Sequence, residues 1–127
     1  MQSKLVSELP ESAEKNVFMR RMQAIMDGDI DAMMSCYAED AVLFMTNRVL
    51  HGYDEIRTLF AAGFGSGNYS GLAIELSQLV VEGEVVYAVW SAKSASFNTP
   101  FGTDTFIIRD GKIAIQTSAA QVVVEED

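Results

Sequence analysis

Apolar positions recur at helical spacing through the first third of the chain and at strand spacing through the second half. Phe18, Met19, Met22, Ile25 and Met26 form one stripe at i, i+1, i+4, i+7 and i+8, which predicts a first helix over about Glu11 to Met26. Pro10 suits its first turn, and Asp27-Gly28 supplies its stop. Asp29 can cap a second short helix, in which Ile30, Met33, Met34 and Tyr37 repeat the stripe. Ala38-Glu39-Asp40 then reads as a turn and Ala41 to Thr46 as a strand. Asn47 to Leu50 reads as a loop, and Gly52 opens a third helix over about Tyr53 to Ala62. Three glycines within Gly63-Phe64-Gly65-Ser66-Gly67-Asn68 mark a mobile loop.

Strand-like runs follow. Leu72 to Val81 and Val85 to Ala95 flank the turn signal Glu82-Gly83-Glu84. Thr103 to Arg109 and Lys112 to Val123 flank Asp110-Gly111, a strong hairpin signal. Helices first and an antiparallel meander second is the order of an α+β domain. A length of 127 residues fits one such domain over residues 1–127, with 1–9 as a loose leader. Apolar residues make up 49% of the chain, enough for a core.

Charge narrows the partners. Nine basic residues against eighteen acidic ones give a net charge of -9, which disfavours nucleic acid and an anionic membrane surface. No apolar run is long enough for a membrane span, and the N-terminus lacks the apolar stretch of a secretory signal, so a cytoplasmic location is expected. The lone Cys36 excludes an internal disulfide and reads as a small buried hydrophobe. No ligand spacing for a metal is present, so neither a metal nor another cofactor is expected. The glycine loop lacks the Lys-Ser/Thr ending of a phosphate-binding loop, and Gly65-Ser66-Gly67 is not a nucleophile elbow.

Three segments together carry a resemblance: Gly28-Asp29-Ile30-Asp31; Tyr37-Ala38-Glu39-Asp40-Ala41-Val42 followed by Gly52 and Ile56; and the hairpin Gly102-Thr103-Asp104-Thr105-Phe106 to Asp110-Gly111-Lys112-Ile113. They resemble the ketosteroid-isomerase-like and SnoaL-like polyketide-cyclase proteins of the nuclear transport factor two superfamily. The resemblance runs from about Ser12 to Val123. It implies a cystatin-like cone: a curved, mostly antiparallel sheet wrapped by three helices, with a pocket between sheet and first helix, often assembled as a dimer through the sheet. The scaffold hosts both enzymes and binding modules.

Asp104 is the candidate for chemistry. Strand alternation puts it on one face with Gly102, Phe106 and Ile108. On an apolar face, desolvation would favour a neutral acid that donates a hydrogen bond; the resemblance implies that Asp104 stands where the ketosteroid isomerases keep such an acid in the oxyanion hole. The competing reading is a carboxylate paired with Arg20 or Arg21, or exposed at a sheet edge. Asp40 reads as a structural residue at a strand entry. The isomerase base corresponds to Met45 and the oxyanion tyrosine to Arg21, so steroid isomerase turnover is not expected. His51 is the sole histidine; it either folds over the mouth to pair with Asp104 or caps the third helix at the surface. Phe18, Met22, Tyr37, Met45, Trp90, Phe106 and Gln116 are the further candidates for the pocket wall; the aromatic residues and methionines read first as core packing, and Gln116 as a polar group able to orient a carbonyl or hydroxyl.

Two functions stand at this level. One is a binding protein for a small apolar or amphipathic, carbonyl-bearing ligand. The other is a cofactor-free isomerase, cyclase or dehydratase using Asp104 as acid, with or without His51. The strands carry more apolar residues than one buried face needs, so a homodimer through the sheet is expected.

Overall fold

A computed structural model describes residues 3–65, 72–95 and 97–124. The elements are α1 (Ser3–Ser7), α2 (Ala13–Asp27), α3 (Ile30–Met34), β1 (Tyr37–Met45), β2 (Arg48–His51), α4 (Tyr53–Gly65), β3 (Ala73–Glu82), β4 (Val85–Lys93), β5 (Phe97–Arg109) and β6 (Lys112–Val124). The fold is α+β, with the six strands in one curved, unclosed sheet of order β2-β1-β6-β5-β4-β3. Every neighbouring pair is antiparallel except β1 with β6.

Local chemistry sets the boundaries. Ser12 caps α2, its Oγ accepting from the Lys15 amide at 3.0 Å, so the helix begins after Glu11 and Pro10 stays outside it. Gly28 ends α2 in the left-handed region (φ 69°), and the amides of Gly28 and Asp29 close back on Ile25 and Ala24. Asp29 caps α3 through Oδ1 and the Ala32 amide at 3.0 Å. Asp110 and Gly111 both take positive φ (53° and 74°), the two-residue hairpin geometry that matches strand twist.

Four expectations need correction. The N-terminal segment is not loose throughout: α1 packs on β3, with Val6 buried and Leu5 and Leu9 against the core. Tyr37 does not belong to the second helix. It opens β1 by pairing with Ile113, and the Ala38-Glu39-Asp40 segment is an irregular stretch of strand before regular pairing resumes at Val42. Arg48 to His51 is a strand, because Asn47 accepts the left-handed conformation (φ 67°) and folds β2 back on β1. Gly63 to Gly65 continue α4, while Ser66, Gly67 and Asn68 lie outside the described residues.

The helices cover the concave face of the sheet. Met33, Met34, Leu43, Ile56, Phe106, Ile108 and Ile113 are almost fully buried there. On α2 the buried stripe is turned from the expected one: Val17, Phe18, Arg21, Met22 and Ala24 face inward, and Met26 is exposed. Cys36 is fully buried with its thiol near the Ala32 carbonyl, in keeping with a packing role.

Register slips at two places along β5 shape the wall. In the β5–β6 hairpin Ile108 pairs with Ile113 but Ile107 pairs with Ile115, leaving Ala114 as an extra residue. Residues beyond it change face, so Ile113, Gln116 and Ser118 all point inward. At the other end of β5, Pro100 lies where pairing slips against both neighbours, which suits a residue with no amide to give to the ladder.

Candidate functional site

The concave face, α2 and α4 enclose a cavity of about 820 Å³ that is partly open to solvent. Its wall is mainly apolar: Phe18 and Met22 from α2, Leu59 and Phe60 from α4, Met45 from β1 and Trp90 from β4. Polar groups gather at one end, where β4, β5 and β6 run side by side. Ala88 pairs with Asp104 and Asp104 with Ser118, so strand pairing alone brings Asp104 and Ser118 together.

Asp104 is 8% exposed and receives three hydrogen bonds. Ser118 Oγ donates to Oδ1 at 2.8 Å, Trp90 Nε1 donates to Oδ1 at 3.3 Å, and Gln116 Nε2 donates to Oδ2 at 3.0 Å. Behind Gln116 the network continues. Tyr37 Oη donates to Gln116 Oε1, and Arg21 Nε donates to Tyr37 Oη at 2.9 Å. Arg21 is itself buried, its guanidinium carbon 5.1 Å from the centre of the Phe106 ring, 5.5 Å from Phe60 and 6.0 Å from Tyr37. Cation–π attraction from these rings helps hold an ion that would otherwise be costly to bury. Phe18 packs edge-on against Phe106, with ring centres 5.8 Å apart, and closes the cage from the helix side. No buried side-chain nitrogen or oxygen among the described residues lacks a partner.

Burial pushes the Tyr37 hydroxyl above its usual value of 10.0, against the opposing pull of Arg21. The neutral phenol is therefore the form the core holds, and it can pass a hydrogen bond from Arg21 to Gln116.

Trp90 reaches Asp104 because Gly102 lets it. A Cβ built on Gly102 would lie 2.5 Å from Cζ2 and 2.6 Å from Cε2 of the indole. The ring lies flat on bare backbone, and no other residue type leaves that space.

Among the expected site residues, Asp104, Phe18, Met22, Met45, Trp90, Phe106 and Gln116 all line the cavity. Trp90 does so from β4, one strand later than expected, because β2 adds a strand before it. Tyr37 stands behind the wall, 3% exposed, and acts through Gln116. His51 is apart from the site. It pairs with Val42, on the face opposite Leu43 and Leu50, and its side chain is exposed on the convex side. Its amide donates to Glu55 Oε1 at 2.8 Å, so its segment ties down the start of α4, and the couple with Asp104 does not form. Asp40 is exposed on β1. Of the two arginines considered as partners for Asp104, Arg20 is exposed, and Arg21 is linked to it through Tyr37 and Gln116.

Sequence reasoning missed Ser118 and underrated Arg21. A plain two-residue hairpin at Asp110-Gly111 would set Thr117, not Ser118, opposite Asp104; only the extra Ala114 makes the difference. Arg21 sits one position from the apolar stripe, and the aromatic cage that turns the helix comes from three other elements. Among the described residues no cluster of His, Cys, Asp or Glu could hold a metal ion, and no helix is long and apolar enough to cross a membrane.

Solved structures share the fold. An NTF-2 like protein of unknown function from Burkholderia xenovorans LB400 superposes with a TM-score of 0.73 at 17% identity, over 91% of this chain and 88% of that one. The epoxide hydrolase/cyclase-like enzyme SalBIII, of pyran ring formation in the polyether salinomycin, gives 0.74 at 18% identity over 88% and 95%. An LEH-like epoxide hydrolase of M. tuberculosis gives 0.68 at 13% identity over 86% and 83%. None of the curated proteins matches the sequence. At these identities the likeness is one of fold. The sequence pattern of the SnoaL-like domain matches residues 18–116, from the phenylalanine that closes the cage to the glutamine that reaches Asp104, and the chain therefore belongs to the SnoaL-like family of NTF2-like folds.

Proposed function

We propose that the protein binds one small, mainly apolar ligand in the cavity, with the ligand's polar end against Asp104. The observation that carries this reading is the cavity itself: about 820 Å³, apolar over most of its wall, with its polar groups gathered at one end. Such a shape takes up an apolar body by desolvation and orients it by a few polar contacts. A homodimer through the convex face of the sheet, in a reducing cytoplasmic setting, completes the reading. Phe44, Val49, Val80, Val85 and Phe101 are exposed large hydrophobics, and Cys36 is a free thiol.

The catalytic alternative keeps Asp104 as its acid and loses His51 as a second group. Its support is the same carboxyl in the same cavity, and sustained turnover of a carbonyl substrate that Asp104→Asn abolishes would establish it over simple binding.

Trp90 is the single tryptophan and lines the cavity, so it reports occupancy directly. Titration with a neutral naphthylamine dye should give saturable energy transfer from Trp90, reversed by apolar competitors. Absence of saturable binding across a panel of apolar and amphipathic compounds overturns the proposal.

A further inference from the structure

We propose that the ligand presents a hydroxyl, not a carbonyl, to Asp104: the carboxylate is built to accept one more hydrogen bond. This rests on the binding reading above and adds the chemistry of the ligand's head group.

The argument runs along the hydrogen-bond chain. A guanidinium has only donors, so Arg21 Nε must donate to Tyr37. The single Tyr37 proton then goes onward to Gln116. An amide offers its oxygen to a donor, so Gln116 turns Oε1 to Tyr37 and Nε2 to Asp104. An indole N–H is also donor only, which sets the sense of the Trp90 contact. Each bond polarises the next in one direction, from a cation to a carboxyl that terminates the chain as acceptor.

The count at Asp104 leaves one place. A carboxylate has about four lone-pair sites. Oδ1 accepts from Ser118 and Trp90, and Oδ2 accepts from Gln116. The remaining site is on Oδ2, of a residue that lines the cavity. A ketone or aldehyde oxygen has no proton to offer it, whereas an alcohol does. An ammonium would also donate, but Arg21 already balances the charge of Asp104, and a further cation would enter an apolar cavity uncompensated. A neutral hydroxyl meets both conditions.

The test is a matched pair, cyclododecanol and cyclododecanone, which share one ring skeleton and differ in the head group. Each is titrated into the full-length protein, following Trp90 emission and calorimetry, and then into Asp104→Asn. The alcohol should bind about tenfold more tightly than the ketone, the scale of one hydrogen bond to a charged acceptor. In Asp104→Asn that preference should fall to about twofold or less, because a side-chain amide can serve either head group. Equal affinities in the unmodified protein, or a tighter ketone, overturn the hydroxyl assignment while leaving the cavity reading intact. Binding of neither compound counts against the cavity reading itself. A tenfold preference that persists in folded Asp104→Asn places the contact elsewhere and also overturns the assignment. The comparison in the unmodified protein needs no variant, so it decides even where Asp104→Asn does not fold.

Discussion

Replacing Gly102 with alanine adds one methyl group under the indole of Trp90. Its carbon would lie 2.5, 2.6 and 2.9 Å from Cζ2, Cε2 and Cη2. Carbon atoms pack comfortably at about 3.5–4.0 Å, so the ring must retreat by about 1 Å or the strand must bend. Overpacking of this kind costs about 1–3 kcal/mol. A retreating indole also stretches its 3.3 Å bond to Asp104, a further loss of about 0.5–1.5 kcal/mol. Against this, alanine recovers about 0.5–1 kcal/mol of backbone entropy relative to glycine in a strand. The net expectation is a destabilisation of about 1–3 kcal/mol, read as a lower urea midpoint at unchanged slope, with a shift in Trp90 emission. The cause is one contact, so it can be isolated. In a Trp90→Phe background, Gly102→Ala should cost about 1 kcal/mol less than it does alone, followed by far-ultraviolet circular dichroism. Equal costs in the two backgrounds, or a Gly102→Ala variant as stable as the parent with unchanged emission, would refute the reasoning.

Three further expectations follow from the same geometry. Tyr37→Phe deprives Arg21 and Gln116 of a shared partner and should cost about 1–3 kcal/mol in chemical denaturation. Because burial holds the Tyr37 hydroxyl above its unfolded value of 10.0, its contribution is complete below that pH and is lost as pH rises through the higher folded value. The parent should therefore lose stability above about pH 10 more steeply than Tyr37→Phe, and parallel pH profiles would contradict this. His51→Ala should leave dye binding unchanged and stability within about 0.5 kcal/mol, as expected for an exposed side chain; loss of binding would return His51 to the site. Light scattering should give the mass of a dimer at micromolar concentration, and Phe44→Glu with Phe101→Glu should give a monomer that still binds dye, whereas a monomeric parent refutes the interface.

The fold was legible wherever local chemistry decides. Gly28 needs a left-handed residue, Asp29 makes a cap, and Asp110-Gly111 makes one particular hairpin; each acts within a few residues and each appears in the structure. Alternation along β5 was also enough to send Asp104, Phe106 and Ile108 inward. What escaped depends on pairing between distant segments. Tyr37 continues the stripe of α3 perfectly well on its own, and only the edge offered by Ile113 draws it into β1. Arg48 to His51 has no strand signature strong enough to stand alone, yet β1 supplies a partner and Asn47 the turn. The placement of His51 on the convex side follows from that missed pairing, and with it falls the couple with Asp104. Arg21 in the interior is legible only once Tyr37, Phe60 and Phe106 are known to surround it.

The extra residue Ala114 makes the composition of the cavity a matter of arithmetic along the chain. Taking that alanine into the ladder as an even hairpin, with the sequence unchanged, would carry Ile115 and Thr117 to the inside while turning Gln116 and Ser118 to the other face. Asp104 would keep its place and lose two of its three donors, although no residue touching it had been replaced. A shift of one position in this hairpin is thus equivalent to rewriting an entire wall. Chains that lack this bulge at the same hairpin length would present the alternate residues of the strand in nearly superposable cones, and a register misread by one residue would assign the wrong half of the strand to the binding site.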